Sequence, residues 1–244
     1  SRIIRGVKRA RPPLVPLPML RRRTLASANL VAILAFGSFY AATFQGTLFM
    51  QQVLGYSALR TGLAWIAATL CALVVALRLS ARLVGRVGAG TALVIGQLIV
   101  AAAVLYLSRA PVDATYWSDL LPGFLALGFG MGFLRMATQA AAFLGIERSV
   151  MGLAGGMIET AREIGGALGI AIAATVAAAG AADAAARLGA NPGAVADSLA
   201  EGFQRGMLVA AGLSVASALA AGLLLRPAER AASAEAPVPV PAPA

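Results

Sequence analysis

The chain has 244 residues, 59% hydrophobic and only 12% charged, with a formal net charge of +10 and a mean hydropathy of +0.82. Soluble domains carry about 25% charged residues, so this composition excludes an ordinary soluble domain and implies one dissolved in lipid. With no histidine and a single cysteine, Cys71, neither a disulfide framework nor a zinc site can be assembled, and no metal is expected.

The first segment, "SRIIRGVKRARPPLVPLPMLRRR", carries eight of the twenty basic residues. Its position ahead of the first apolar run makes the charge a topology signal rather than a nucleic-acid interface, and residues 1–24 read as a basic cytoplasmic linker leaving an earlier domain. The run from Leu25 is too long for a secretory signal, and more runs follow. A bilayer core about 30 Å thick takes about 20 apolar residues of helix per crossing, and backbone in lipid has to satisfy its own hydrogen bonds. An all-α membrane domain over residues 25–226 is therefore expected, with six helices at about 25–48, 60–80, 90–108, 118–142, 151–180 and 206–225. The longest loop falls at 181–205, and residues 227–244, ending "APVPVPAPA", read as a Pro/Ala-rich disordered cytoplasmic tail.

Lys and Arg mark the cytoplasmic side. The basic segment before the first helix is thus placed inside, and six crossings return the C-terminus, with Arg226 and Arg230, to the same side. Arg82, Arg86 and Arg148 fall in inner connections. Tyr56, Trp65, Tyr106, Tyr116 and Trp117 fall near the outer ends, where amphipathic rings favour the headgroup level. A multi-pass protein of the plasma or inner membrane with both termini cytoplasmic is the expectation.

Four blocks carry a resemblance. They are "LFMQQVLGYSALRTGLAW" at 48–65, "RLVGRVG" at 82–88, "DATYWSDLLPGFLALGFGMGF" at 113–133 and "TAREIGGALG" at 160–169. In this order they resemble the C-terminal half of the fourteen-span drug:proton antiporters of the major facilitator superfamily, over roughly residues 14–226. The resemblance implies six helices forming one half of an alternating-access transporter, with a substrate site between halves near the midplane. It implies a missing N-terminal half as partner, first and fourth helices lining the central cavity, and second and fifth helices meeting the other half. Of the superfamily's inner-loop pattern only Arg86 and Gly88 carry over. The acidic residue of that pattern is missing, so Arg82, Arg86 and Gly88 are gating candidates without the usual ion pair.

Arg78, Arg82 and Arg86 recur every four residues on one helix face, fit either to snorkel to anionic headgroups or to contact the other half. Glycines at G-x-x-x-G spacing, Gly128 and Gly132, Gly152 and Gly156, Gly165 and Gly169, predict close helix packing. "GFGMGF" lacks the Lys and the preceding strand of a phosphate loop, so no nucleotide site is expected.

The stretch "GGMIETAREIGGALG", residues 155–169, holds Glu159, Arg162 and Glu163 inside an apolar helix. With Arg135 they would cost roughly 10 kcal/mol unpaired at mid-membrane. Glu159 and Arg162 can meet at a spacing of three, whereas Glu159 and Glu163 repel at four if both are ionised. Folding the fourth and fifth helices into a hairpin puts Arg135 and Glu159 at depths matched to about 1.5 Å, so Arg135 is expected to face Glu159. Such charges form either a structural ion pair or a carboxylate that exchanges a proton as Arg135 or substrate competes for it; a third reading has one of them reach the cytoplasmic mouth. Ser38, Tyr40 and Gln45 are further cavity-lining candidates on the first helix, beside Asn29, Thr43 and Thr47.

With no histidine, no metal-ligand cluster and no serine-centred elbow, an enzyme is not expected. The reading is a transporter that exports drugs or other small amphipathic molecules across the lipid bilayer. It would need no cofactor beyond a proton gradient; the alternative is a non-transporting membrane partner derived from such a transporter.

Overall fold

The computed structural model describes residues 23–144, 146, 150–189 and 192–227. The basic segment and the Pro/Ala tail lie outside them, as do Glu147, Arg148 and Arg230. Six helices, each long and apolar enough to cross a bilayer, make up the described chain: α1 (Thr24–Val53), α2 (Ala58–Val87), α3 (Ala89–Leu107), α4 (Tyr116–Phe143), α5 (Met151–Leu188) and α6 (Gly193–Leu225). The domain is all-α.

The helices pack in a regular pattern. α1 lies against α5 and α6, α4 lies against α2 and α3, α3 meets α6, and α1 meets α4. Exchanging helices 1–3 for 4–6 leaves these contacts unchanged, but the extensive α5–α6 packing has no comparable α2–α3 counterpart. α4 and α5 touch over only a short stretch, so the close α4–α5 hairpin expected from sequence is not formed; each packs on other partners.

Glycines set the closest crossings. A Cβ on Gly165 would fall 2.2 Å from the Ile33 carbonyl oxygen and one on Gly169 2.1 Å from that of Gly37, so α1 and α5 approach backbone to backbone. Gly128 similarly meets the Ala68 carbonyl, and Gly132 meets Val75 and the Ala72 carbonyl, joining α4 to α2. Small residues permit this approach, which replaces the hydrophobic drive that lipid removes. Gly152 and Gly156 do not share the role. Both face open space, because α5 has no neighbour on that side near its start; their spacing matches the motif, but nothing packs there.

Residues 181–188 and 192–205, expected as loop, are helical. α5 runs 38 residues to Leu188, and the chain resumes as helix at Pro192. α5 ends at Gly189, at φ 76°, whose N–H closes on the Ala185 carbonyl at 3.1 Å, an end that glycine tolerates. "AADAAARL" has high helix propensity, and Arg205 of α6 bridges Asp183 of α5 at 2.9 Å and Glu201 one turn back on its own helix at 2.8 Å. Hydropathy reports contact with lipid; it does not report helix. At 1.5 Å per residue α5 is about 57 Å long against a hydrocarbon core of about 30 Å, so one end stands outside the bilayer.

The core has two layers. One, around Phe49, Met50, Leu107, Leu120, Phe124, Phe203 and Met207, lies toward the end that carries the α1–α2, α3–α4 and α5–α6 connections. The other, around Leu25, Phe36, Leu93, Leu134, Ile158 and Leu225, fills the opposite end. The aromatic residues Tyr56, Trp65, Tyr116 and Trp117 gather at the first end, where Trp65 stacks on Phe124 at 4.3 Å and Tyr116 bonds the Ala64 carbonyl at 2.9 Å. α2 and α5 are the least enclosed helices: in their most apolar windows 17% and 28% of residues are buried, against 61% in α4.

Candidate functional site

α1, α4 and α5 bring one group of polar side chains together below the surface of the bundle. Its centre is Arg162 on α5, only 3% exposed. Nη1 donates to Glu159 Oε2 at 2.5 Å, one turn back on the same helix. Nη2 reaches α4, donating to Thr138 Oγ1 at 2.8 Å, to the Arg135 carbonyl at 3.1 Å and to Gln139 Oε1 at 3.4 Å. On its other side the guanidinium lies over the Phe36 ring of α1, 4.9 Å from its centroid. The planar, five-donor guanidinium can serve three helices at once, and Thr138 is free to accept because its own hydroxyl proton goes to a carbonyl in the preceding turn. Nε alone has no partner among the described residues.

The expected Arg135–Glu159 pair is not formed. Arg135 is exposed, and among the described residues it makes no ion pair. Its backbone carbonyl, rather than its guanidinium, contacts the cluster. Depth is not the reason: Arg135 lies about 12 Å from the end of α4 and Glu159 about 12 Å from the start of α5, so the level matches. Rotation is the cause. Arg162 is the side chain turned toward α4, and it takes Glu159 for itself.

Glu163, one helical turn beyond Glu159, is exposed and has no cationic partner among the described residues. It interacts with the Tyr40 hydroxyl from α1, and Tyr40 also lies within electrostatic reach of Arg135 and Glu159. Tyr40 fits because Gly166 opposite has no side chain; a Cβ there would fall 2.4 Å from its ring. Tyr40, Arg135, Glu159 and Glu163 thus form a polar patch above the buried Arg162.

Two sequence candidates leave this patch. Ser38 and Gln45 are 0% and 1% exposed, and neither sits with the charges. Ser38 Oγ donates to the Ala210 carbonyl of α6 at 2.7 Å, and Gln45 Nε2 to the Ala173 carbonyl of α5 at 2.9 Å. They tie helices together; Gly206 leaves the space that Gln45 crosses. Asn29, Thr43 and Thr47 bond carbonyls four residues back, the ordinary fate of such groups in a membrane helix. Arg82 and Arg86 are exposed and form no ion pair among the described residues. Gly88, at φ 81° and ψ 161°, turns the chain between α2 and α3, in a backbone region open essentially only to glycine. Thr138, Gln139 and Phe36, the partners of Arg162, were not among the sequence candidates. Thr138 stands three residues from Arg135, so it shares a face with a residue that was.

The fold and the patch define a class: a multi-pass helical membrane protein with ionisable groups held at depth on one face. Residues 1–170 match the Major Facilitator Superfamily, and the chain belongs to that family. Family membership places it with transporters rather than enzymes. The chain is similar to the tetracenomycin C resistance and export protein of Streptomyces glaucescens, 30% identical over 161 residues that cover 66% of this chain and 30% of the relative. It is similar too to the puromycin resistance protein of Streptomyces alboniger, 31% identical over 170 residues covering 67% and 33%, and to the lincomycin resistance protein of Streptomyces lincolnensis, 29% identical over 168 residues covering 67% and 34%. The chain thus spans about a third of the length of these relatives.

Proposed function

We propose that this chain is the C-terminal six-helix half of a fourteen-span drug exporter that works by proton antiport, with Glu163 as the carboxylate that exchanges a proton for substrate. The observation that carries the reading is Glu163 itself. It lies about 18 Å inside α5, exposed and without a cationic partner among the described residues, while the neighbouring Glu159 is committed to Arg162. A carboxylate at such depth without a cationic partner is costly when charged; a proton or a cationic group of a substrate relieves the cost. Because one carboxylate serves one of them at a time, their binding is mutually exclusive, which is the coupling that antiport requires.

Several features support the half-transporter reading. The main neighbours of α1 and of α4 exchange with one another when helices 1–3 are swapped for 4–6, although α5–α6 packing has no equal between α2 and α3, in keeping with the inverted three-helix repeats nested in each half of such transporters. α2 and α5, the least enclosed helices, are those the family would set against an N-terminal half. The names of the relatives favour export of antibiotics over a non-transporting partner. The excess of basic residues before the first helix supports both termini on the cytoplasmic side of the cell membrane, with the α5–α6 extension outside.

The test is proton-driven efflux of amphipathic compounds in membrane vesicles carrying the full-length protein. Glu163→Gln is expected to abolish the dependence of efflux on the pH gradient, whereas Glu159→Gln retains it. Unchanged pH-driven efflux in Glu163→Gln sinks the proposal.

A further inference from the structure

We propose that the groove between α2 and α4, at the end of the bundle that carries the α1–α2 and α3–α4 connections, binds one anionic phospholipid, with its phosphate on Arg60 and an acyl chain along the apolar wall beneath.

The groove is a cavity of about 520 Å³, lined on one side by Tyr56, Arg60 and the α2 residues that follow, and on the other by Tyr116, Trp117 and Leu121 of α4. Beside it the two helices are fastened together: the Tyr116 hydroxyl donates to the Ala64 carbonyl at 2.9 Å, and Trp65 stacks on Phe124 at 4.3 Å. The Arg60 guanidinium lies over the Tyr56 ring, 3.6 Å from its centroid. Stacking uses the face of the guanidinium and leaves the N–H groups on its edge free for an oxyanion. Arg60 is exposed and forms no ion pair among the described residues. Asp119, the one acid of α4, turns Oδ2 back onto its own turn, accepting from the Thr115 N–H at 2.7 Å and from the Thr115 and Ser118 hydroxyls at 2.9 Å. The groove thus holds a cation fixed by a ring, with no counter-charge among the described residues.

Below Arg60 the wall is apolar. Leu63, Ile66 and Leu70 are exposed along it, and the ten-residue step from Arg60 to Leu70 covers about 15 Å, half of a hydrocarbon core about 30 Å thick. The groove is therefore about one leaflet deep. Trp117, at the start of α4 and 77% exposed, supplies the amphipathic ring favoured at headgroup level. A cation at that level above an apolar wall one leaflet long matches a phospholipid, and the missing counter-charge selects one with net negative charge. A zwitterionic phospholipid brings a second cation to a site that already has one. A soluble anion would leave the wall bare, and a helix of another polypeptide would leave Arg60 unpaired unless it brought an acid.

The experiment uses the purified full-length protein in detergent with phosphatidylglycerol brominated on one acyl chain, phosphatidylcholine with the same chains, and glycerol 3-phosphate, a headgroup without chains. Bromine quenches tryptophan on contact, and the quenching that is lost in Trp117→Phe reports the groove. Phosphatidylglycerol is expected to quench Trp117 at about one tenth or less of the concentration that phosphatidylcholine needs, the scale of one charged hydrogen bond. Arg60→Gln should bring the two lipids level, and Ala67→Phe, which fills the groove, should remove quenching by both. Neither position is in the buried core, so melting of both variants in lipid-free detergent should match the parent. Equal quenching by the two lipids in the parent, a preference for phosphatidylglycerol that survives Arg60→Gln, or no quenching of Trp117 because another helix covers the groove overturns the inference. Displacement of the brominated lipid by glycerol 3-phosphate at the same concentration also overturns it, since the site would then be one for a free anion.

Discussion

Replacing Gly169 by alanine should destabilise the protein even though alanine is the better helix former. A new Cβ at residue 169 would fall 2.1 Å from the Gly37 carbonyl oxygen and 2.5 Å from the Gly37 Cα, both rigid backbone of α1. Ordinary contact begins near 3.4 Å, so α1 and α5 would have to part by about 1.3 Å along their main crossing. Overpacking of this kind costs about 1–3 kcal/mol, and the gain in helix propensity returns about 1 kcal/mol. A Cβ at residue 156, thirteen residues away on the same helix, meets nothing within 4 Å, so Gly156→Ala keeps the propensity gain alone. The two substitutions are chemically identical and should have opposite signs. Thermal melting of the purified protein in detergent, followed by Trp65 and Trp117 fluorescence, should place Gly169→Ala below and Gly156→Ala at or above the parent. Equal melting temperatures for the two variants would refute the claim that the α1–α5 crossing is set by backbone contact.

Other consequences follow from the same geometry. Arg162→Lys keeps the charge but cannot serve Glu159 and the α4 acceptors together, since those bonds use two different nitrogens of the guanidinium; a loss of about 1.5–3 kcal/mol should appear as a lower melting temperature. Gly88→Ala forces a side chain into a backbone region at φ 81°, at about 1–3 kcal/mol, and should lower the melting temperature. Gly85→Ala, in open helix, is the matched control and should be neutral or mildly stabilising.

Much of the fold was legible because lipid permits few solutions. Length and hydropathy are enough to place six helices able to cross a bilayer, and the G-x-x-x-G spacing found Gly128, Gly132, Gly165 and Gly169 at close helix crossings. The same spacing misplaced Gly152 and Gly156, because a spacing describes one helix face and says nothing of what lies opposite. Gly37 was missed for the complementary reason: it contributes the other side of a crossing without a repeat of its own. Hydropathy hid the helical residues 181–188 and 192–205, where alanine and ion pairs support the helix.

At the site, depth could be read from residue counts and rotation could not. Arg135 and Glu159 are at the matched level that counting gives, yet Arg162 occupies the gap between α4 and α5. Ser38 and Gln45 look like cavity groups from their seven-residue spacing; they point inward to the Ala210 and Ala173 carbonyls instead. A polar residue on a membrane helix serves either a cavity or a neighbour's backbone, and only the packing of the neighbour distinguishes the two.

The central claim is that a proton and a substrate compete for Glu163. The most direct measurement is proton release from the purified full-length protein in weakly buffered detergent on addition of a transported amphipath near the pH at which efflux is half-maximal. The account predicts release in the parent and in Glu159→Gln and none in Glu163→Gln. Undiminished release from Glu163→Gln would contradict it.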